Sequence, residues 1–143
     1  MRLNKNTKIM ITGCGGMLGK SVYELFNKQC NVFASDIDTN EPWLEYLDVR
    51  DLNAVLNTVL ALKPDLIMNL AALTDLEFCE NHPDNSWLTN GLGQENICLA
   101  AKRMNIAVVY ISTAGIYSGD QEFYNDFEIP NPLSVYGKSK YHG

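Results

Sequence analysis

Short apolar runs alternate along the chain with longer stretches whose apolar residues recur every three or four positions. KIMIT (8–12) is almost continuously apolar, as a strand covered on both faces must be. In MLGKSVYELFNKQ (17–29), Leu18, Val22, Leu25 and Phe26 fall at helical spacing. NVFAS (31–35) reads as a second strand, and WLEYLDV (43–49) contains a short third one. DLNAVLNTVLALK (51–63) reads as a helix, with Asp51 placed to cap its free N–H groups. Pro64 cannot continue that helix, and DLIMNLAA (65–72) reads again as a strand. Residues 84–104 are helical in pattern, weakened locally by Gly91 and Gly93. IAVVYIS (106–112) is the fifth strand. A polar, proline-containing loop (113–132) follows, and a helix begins near Ser134.

Strand and helix in regular alternation predict an α/β fold with a parallel sheet covered by helices on both faces. The right-handed crossover rule leaves mainly doubly wound topologies. In such sheets ligands sit outside the carboxyl ends of the strands, at the switch point. The loops after residues 12, 35, 70 and 112 are therefore expected to converge on one site.

The first of these loops is TGCGGMLG (12–19), between a strand and a helix. Gly13, Gly16 and Gly19 form G-x-x-G-x-x-G. Gly13 permits a tight turn, Gly16 lets a pyrophosphate approach the backbone, and Gly19 lets the helix pack close to the sheet. The phosphates would rest on the N–H groups at the helix start, around Met17 and Leu18. The alternative register G-x-G-x-x-G fails because Leu18 holds its last place, and no lysine follows as in a triphosphate loop. The reading is a Rossmann-type dinucleotide site. Asp36 lies about 20 residues beyond the loop, where an acid binds the adenosine ribose hydroxyls. A carboxylate there repels a 2′-phosphate, which favours NAD(H) and leaves NADP(H) open. Asp38 competes for the role, but Asp36 directly follows the apolar run.

Near the end of the chain, Tyr136 and Lys140 stand four apart, on one face of the expected helix. A free phenol has a pKa near ~10 and is a poor proton donor or acceptor at neutral pH. An ammonium ~4 Å away stabilises the phenolate by ~1–4 kcal/mol, which lowers its pKa by ~1–3 units. A tyrosine so tuned can protonate a carbonyl oxygen as hydride arrives from a nicotinamide. Ser112 and Thr113, at the carboxyl end of the fifth strand, offer hydroxyls to hold that oxygen.

Composition narrows the alternatives. A chain of 143 residues suffices for one domain with a real core. The formal net charge of -6 disfavours nucleic acid as a partner, which needs a basic surface. The four cysteines, Cys14, Cys30, Cys79 and Cys98, form no C-x-x-C pair, and His82 and His142 are the sole histidines, which argues against a zinc site. Scattered cysteines without a secretion signal point to a reducing, cytoplasmic setting. No apolar run approaches the roughly 18 residues of a membrane-spanning helix.

TGCGGMLG, LDVRD (47–51), PDLIMNLAALTDLEFCE (64–80), TNGLGQENICLAA (89–101), ISTAGIYSG (111–119) and NPLSVYGKSK (131–140) together resemble the extended short-chain dehydrogenase/reductase family. Within it they are most similar to the dTDP-4-dehydrorhamnose reductases of dTDP-L-rhamnose and polysaccharide synthesis. The resemblance implies Thr113, Tyr136 and Lys140 as the catalytic group. It implies Asp48 and Val49 as adenine-pocket residues, and Ala71 and Ala72 as small residues along the cofactor. Asn90 either organises the site from the neighbouring helix or partners a kink near Gly91 and Gly93. The implied reaction is NAD(P)H-dependent reduction of a nucleotide-linked 4-keto-6-deoxy sugar. STAGIY departs from the usual S-T-D-Y-V-F of these reductases, with Ala114 in the place of the acid and Tyr117 in that of Phe. That form leans toward NAD-dependent sugar epimerases and 4,6-dehydratases. A non-catalytic dinucleotide-binding subunit is a further alternative. The family runs to roughly twice this length. Residues 1–143 are thus expected to be an NAD(P)-binding N-terminal part lacking the substrate domain, inactive alone, with a homodimer allowed at full length.

Overall fold

The computed structural model describes residues 2–143. Five parallel strands, β1 (Lys8–Thr12), β2 (Asn31–Asp36), β3 (Glu45–Tyr46), β4 (Leu66–Asn69) and β5 (Ala107–Tyr110), form one sheet in the order β3-β2-β1-β4-β5. The register places Met10 between Phe33 and Ile67, and Thr12 between Ser35 and Asn69. β1 is central and its alternation divides the core between the two faces. Met10 joins Val55, Val59, Ile67 and Ile97 on one face, while Ile9 and Ile11 join Cys30, Ala34 and Leu44 on the other.

The helices are α1 (Met17–Asn27), α2 (Leu52–Leu62), α3 (Leu76–Asn81), α4 (Pro83–Ser86), α5 (Gly93–Met104) and α6 (Val135–His142). A π-helical turn (Trp87–Leu92) joins α4 to α5, and a 3-10 turn (Ala114–Ile116) follows β5. α2 and α5 supply Val55, Val59 and Ile97 to the first face, whereas Val22 and Phe26 of α1 pack on the second. This is the doubly wound α/β arrangement that the alternation predicts. Asp51 caps α2 as expected, its carboxylate accepting from the N–H groups of Asn53 and Ala54 at 2.9 and 3.1 Å.

Three expectations need correction. The helix expected over 84–104 is three pieces, with the π-helical turn at Asn90 and Gly91 between two α-helices. A helix absent from the sequence reading, α3, occupies 76–81. It is too short to show a full apolar period, and its signal is the cap, Asp75 accepting from the Phe78 N–H at 2.9 Å. The strands expected over 65–72 and 106–112 stop at Asn69 and Tyr110. Beyond Asn69, Leu70 still donates to the Thr12 carbonyl at 3.0 Å, and side chains then take over: Ala71 donates to Asn69 Oδ1 at 3.1 Å and Leu73 to Asn90 Oδ1 at 2.8 Å. Ala71, Ala72, Ser112 and Thr113 thus lie on loops at the carboxyl edge of the sheet. Among the described residues no helix is long and apolar enough to cross a membrane.

Candidate functional site

The chain runs β1, β2, β3 toward one edge and then crosses back to place β4 and β5 on the other side of β1. The crevice of such a sheet opens where β1 and β4 diverge. Two cavities lie there. One, of about 470 Å³, is walled by the glycine loop, Asp36, Asp48, Val49, Arg50 and Ala71. The other, of about 440 Å³, is walled by the same loop with Met17, Leu18, Ser112, Tyr136 and Lys140. Gly13, Gly16, Leu70 and Ala72 border both, so the two form one groove across the switch point.

The glycines of the loop differ in what requires them. Gly13 has φ +71, and a Cβ there would collide with the Ala71 backbone. A Cβ at Gly19 would collide with the Cys14 backbone, so this glycine lets α1 close against the loop. Gly16 is different: its φ of -73 and ψ of 174 suit any residue. A Cβ there would meet only the Gly13 carbonyl oxygen, at 3.4 Å. Neither conformation nor packing calls for glycine, and the space it leaves is the groove. No side chain caps α1 either, which leaves its first N–H groups for a ligand. Cys14 is buried in the loop, and burial with the nearby Asp36 carboxylate pushes its thiol up to about 11. It stays a thiol, donating to the Gly19 carbonyl at 3.4 Å.

Asp36 ends β2 and is fixed on both oxygens. Oδ2 accepts from the Gly15 N–H at 2.9 Å, and Oδ1 from the Asp38 N–H at 3.1 Å. Both acids line the first cavity, but Asp36 alone is tied to the glycine loop. Opposite, Arg50 grips Asp48 through Nε and Nη2 at 2.7–3.0 Å, which holds the Asp48 carboxyl below the usual range. Asn96 of α5 fixes this wall, donating to the carbonyls of Val49 and Arg50 at 2.9 and 3.1 Å. Arg50 and Gly15 are groove residues that sequence reading missed. Arg50 carried a signal, a cation two residues after the expected adenine-pocket acid.

In the second cavity, α6 brings Tyr136 and Lys140 to one wall. Ser134 caps this helix, accepting from the Gly137 N–H at 3.0 Å, and Glu80 of α3 accepts from the Val135 N–H at 2.7 Å. Lys140 is only 4% exposed, and burial lowers its ammonium from 10.5 to about 8. Its Nζ lies 3.8 Å from the centre of the Tyr110 ring. Asn90, 1% exposed, accepts from the Leu73 N–H and donates to the Leu73 carbonyl and Ser139 Oγ, both at 3.0 Å. It therefore ties the loop after β4 to α6 from inside the π-helical turn. Thr113 does not line the cavity: its hydroxyl oxygen accepts from the Gly115 N–H at 3.1 Å and caps the 3-10 turn. The cavity-lining hydroxyl at this edge is Ser112.

The chain is 31% identical over 139 residues to methionine adenosyltransferase 2 subunit beta of Bos taurus, covering 96% of this chain and 42% of that protein. It is 32% identical over 139 residues to the dTDP-4-dehydrorhamnose reductase of Aggregatibacter actinomycetemcomitans, covering 95% and 45%. The chain thus spans less than half the length of these relatives. A solved dTDP-4-dehydrorhamnose reductase of Bacillus anthracis, in complex with NADP, superposes with a TM-score of 0.85 at 30% identity, covering 99% of this chain and 49% of that one. The family described as RmlD substrate binding domain matches residues 7–143, and the chain belongs to it.

Proposed function

We propose that this chain is the dinucleotide-binding part of an NAD(P)H-dependent reductase acting on a nucleotide-linked 4-keto-6-deoxy sugar. The observation that carries the reading is that Tyr136 and Lys140 wall the same cavity as Gly13, Gly16 and Gly19. A nicotinamide dinucleotide bound there supplies a hydride. The chain's own residues do the rest. The glycine loop and the start of α1 offer N–H groups to the pyrophosphate. Asp36 accepts from the adenosine ribose hydroxyls, favouring NAD(H), and Asp48, Val49, Ala71 and Ala72 border the adenosine half. The Lys140 ammonium stabilises a developing Tyr136 phenolate as the Tyr136 hydroxyl gives its proton to the substrate carbonyl oxygen. Ser112 or Thr113 holds that oxygen. Accepting from the Gly115 N–H leaves the Thr113 O–H free to donate to it.

A second reading, a dinucleotide-binding subunit without its own turnover, is favoured by the 31% identity to methionine adenosyltransferase 2 subunit beta. Titration with NADH and NADPH, followed by fluorescence, and assay of the full-length protein with dTDP-linked 4-keto-6-deoxy sugar separate the two. Saturable binding with sugar-dependent NADH oxidation supports the reductase. Saturable binding without turnover supports the subunit. NAD retained through purification would point instead to an epimerase or dehydratase cycle. Absence of nucleotide binding in protein shown to be folded would overturn all of these.

A further inference from the structure

A buried ammonium needs a compensating partner, because transfer out of water penalises the charged form. Lys140 is 4% exposed, yet among the described residues no carboxylate makes an ion pair with it and its Nζ makes no hydrogen bond. What faces the ammonium is the Tyr110 ring, 3.8 Å from Nζ to its centre. The Lys140 side chain also lines the groove, so the ammonium keeps some solvent there, and the ring face supplements that solvation. The ring is itself held. The Tyr110 hydroxyl donates to the Lys140 carbonyl at 3.2 Å and, more weakly, to the Asn90 carbonyl at 3.4 Å. The first of these carbonyls lies on α6. One side chain on β5 thus touches both ends of the same lysine.

We propose that Tyr110 is the positioning residue for Lys140: its ring seats the ammonium in the groove, and its hydroxyl ties α6 to the π-helical turn. The importance of this for chemistry rests on the reading of Tyr136 and Lys140 given above, but the contact itself does not. The titratable groups facing this pair are Tyr136 on α6 and, beyond Tyr110, Cys98 on α5. Glu77 and Glu80 of α3 and Asp84 of α4, elements that also pack against α6, form no ion pair with Lys140. Burial, with Tyr136 and Cys98 nearby, pushes the Tyr110 hydroxyl up to about 12, so it remains a donor across the working range.

The test follows the acylation of individual lysines by acetic anhydride as pH is raised, with peptide mass spectrometry reading each site in nucleotide-free protein. Lys20 and Lys138 serve as internal references. Tyr110→Phe keeps the ring and should leave the Lys140 midpoint unchanged. Tyr110→Leu removes it and should lower that midpoint by about one pH unit. A purely structural role would lower the thermal midpoint in both variants and leave the Lys140 titration where it was. That result, in folded Tyr110→Leu, overturns the proposal. Should this variant not fold, the wild-type protein decides: the Lys140 ε-methylene protons must resonate upfield of those of the other lysines, shifted by the ring current. Their absence from that region also overturns it. NADH titration of the wild type is read separately. Its failure would remove the reductase reading while leaving the Lys140 result to stand or fall on its own.

Discussion

Lys140 holds a charge where the fold would prefer none, and the sign of its effect on stability follows. Its ammonium loses its proton at about 8 in the folded chain against 10.5 as a free side chain. Between those values the unfolded chain binds the proton more tightly, so stability rises with pH through that window. Lys140→Met keeps the unbranched stem and removes the charge. It is expected to melt above wild type at pH 7, with the difference shrinking from pH 8 to 10.5. Scanning calorimetry of both proteins across that range checks it, and a difference independent of pH would contradict it. Asp36 offers a second test. Asp36→Asn keeps an oxygen for the Gly15 N–H but drops the negative charge. One charge at a partly solvated site is worth about 1 kcal/mol, so the NADPH-to-NADH affinity ratio should rise by roughly 5- to 10-fold. Equilibrium titration with both nucleotides reads it. Gly13, Gly16, Gly19, Tyr136 and Lys140 were legible in the sequence because short local spacing carries them. Tyr110 and the Asn90–Ser139 bond were not. Their partners lie 30 and 49 residues away, and only the fold brings them together.

At the scale of elements, what was legible depended on length and on caps. α2 spans 11 residues with a periodic apolar face, a capping Asp51, and Pro64 just past its end. Asp51→Ala deletes the acceptor for two otherwise free N–H groups and should cost about 1 kcal/mol, or roughly 3 °C in thermal midpoint. Asp51→Ser should restore most of it, since a hydroxyl oxygen accepts the same bonds; thermal melts of the two variants check this. α6 is harder to read. Val135–His142 shows no clear apolar face to announce it. It stands because Ser134 and Glu80 satisfy its first turn, and because Asn90 and Tyr110 hold Ser139 and the Lys140 carbonyl. The span over 84–104 read as one weakened helix because Gly91 and Gly93 lower propensity without showing why. The structure supplies the reason for Gly93, where a Cβ would meet the Val49 side chain at 2.7 Å. A tertiary contact, not a local preference, put glycine there. α3 left only Asp75 as its mark, too little in six residues to outweigh a loop.

For the whole molecule, the decisive feature is that the groove is double. Its first half is built by the end of β2 and residues 47–50 between β3 and α2, and its second half by α1, the loop after β5 and α6. Gly13, Gly16, Leu70 and Ala72 are the shared floor. A ligand joining two subsites binds more tightly than either part alone, because the second contact is made at a high effective concentration. Binding to the folded state adds RT ln(1 + [L]/Kd) to stability, about 2.7 kcal/mol at a hundredfold excess over Kd. For a chain of this size that is roughly 8 °C in thermal midpoint. NADH is therefore expected to raise the midpoint by more than the sum of the rises given by AMP and by nicotinamide mononucleotide at the same concentrations, with AMP giving the larger of the two. If AMP alone reproduced the full effect of NADH, the half of the groove lined by Tyr136 and Lys140 would be idle in binding, and the nicotinamide would have to be placed elsewhere.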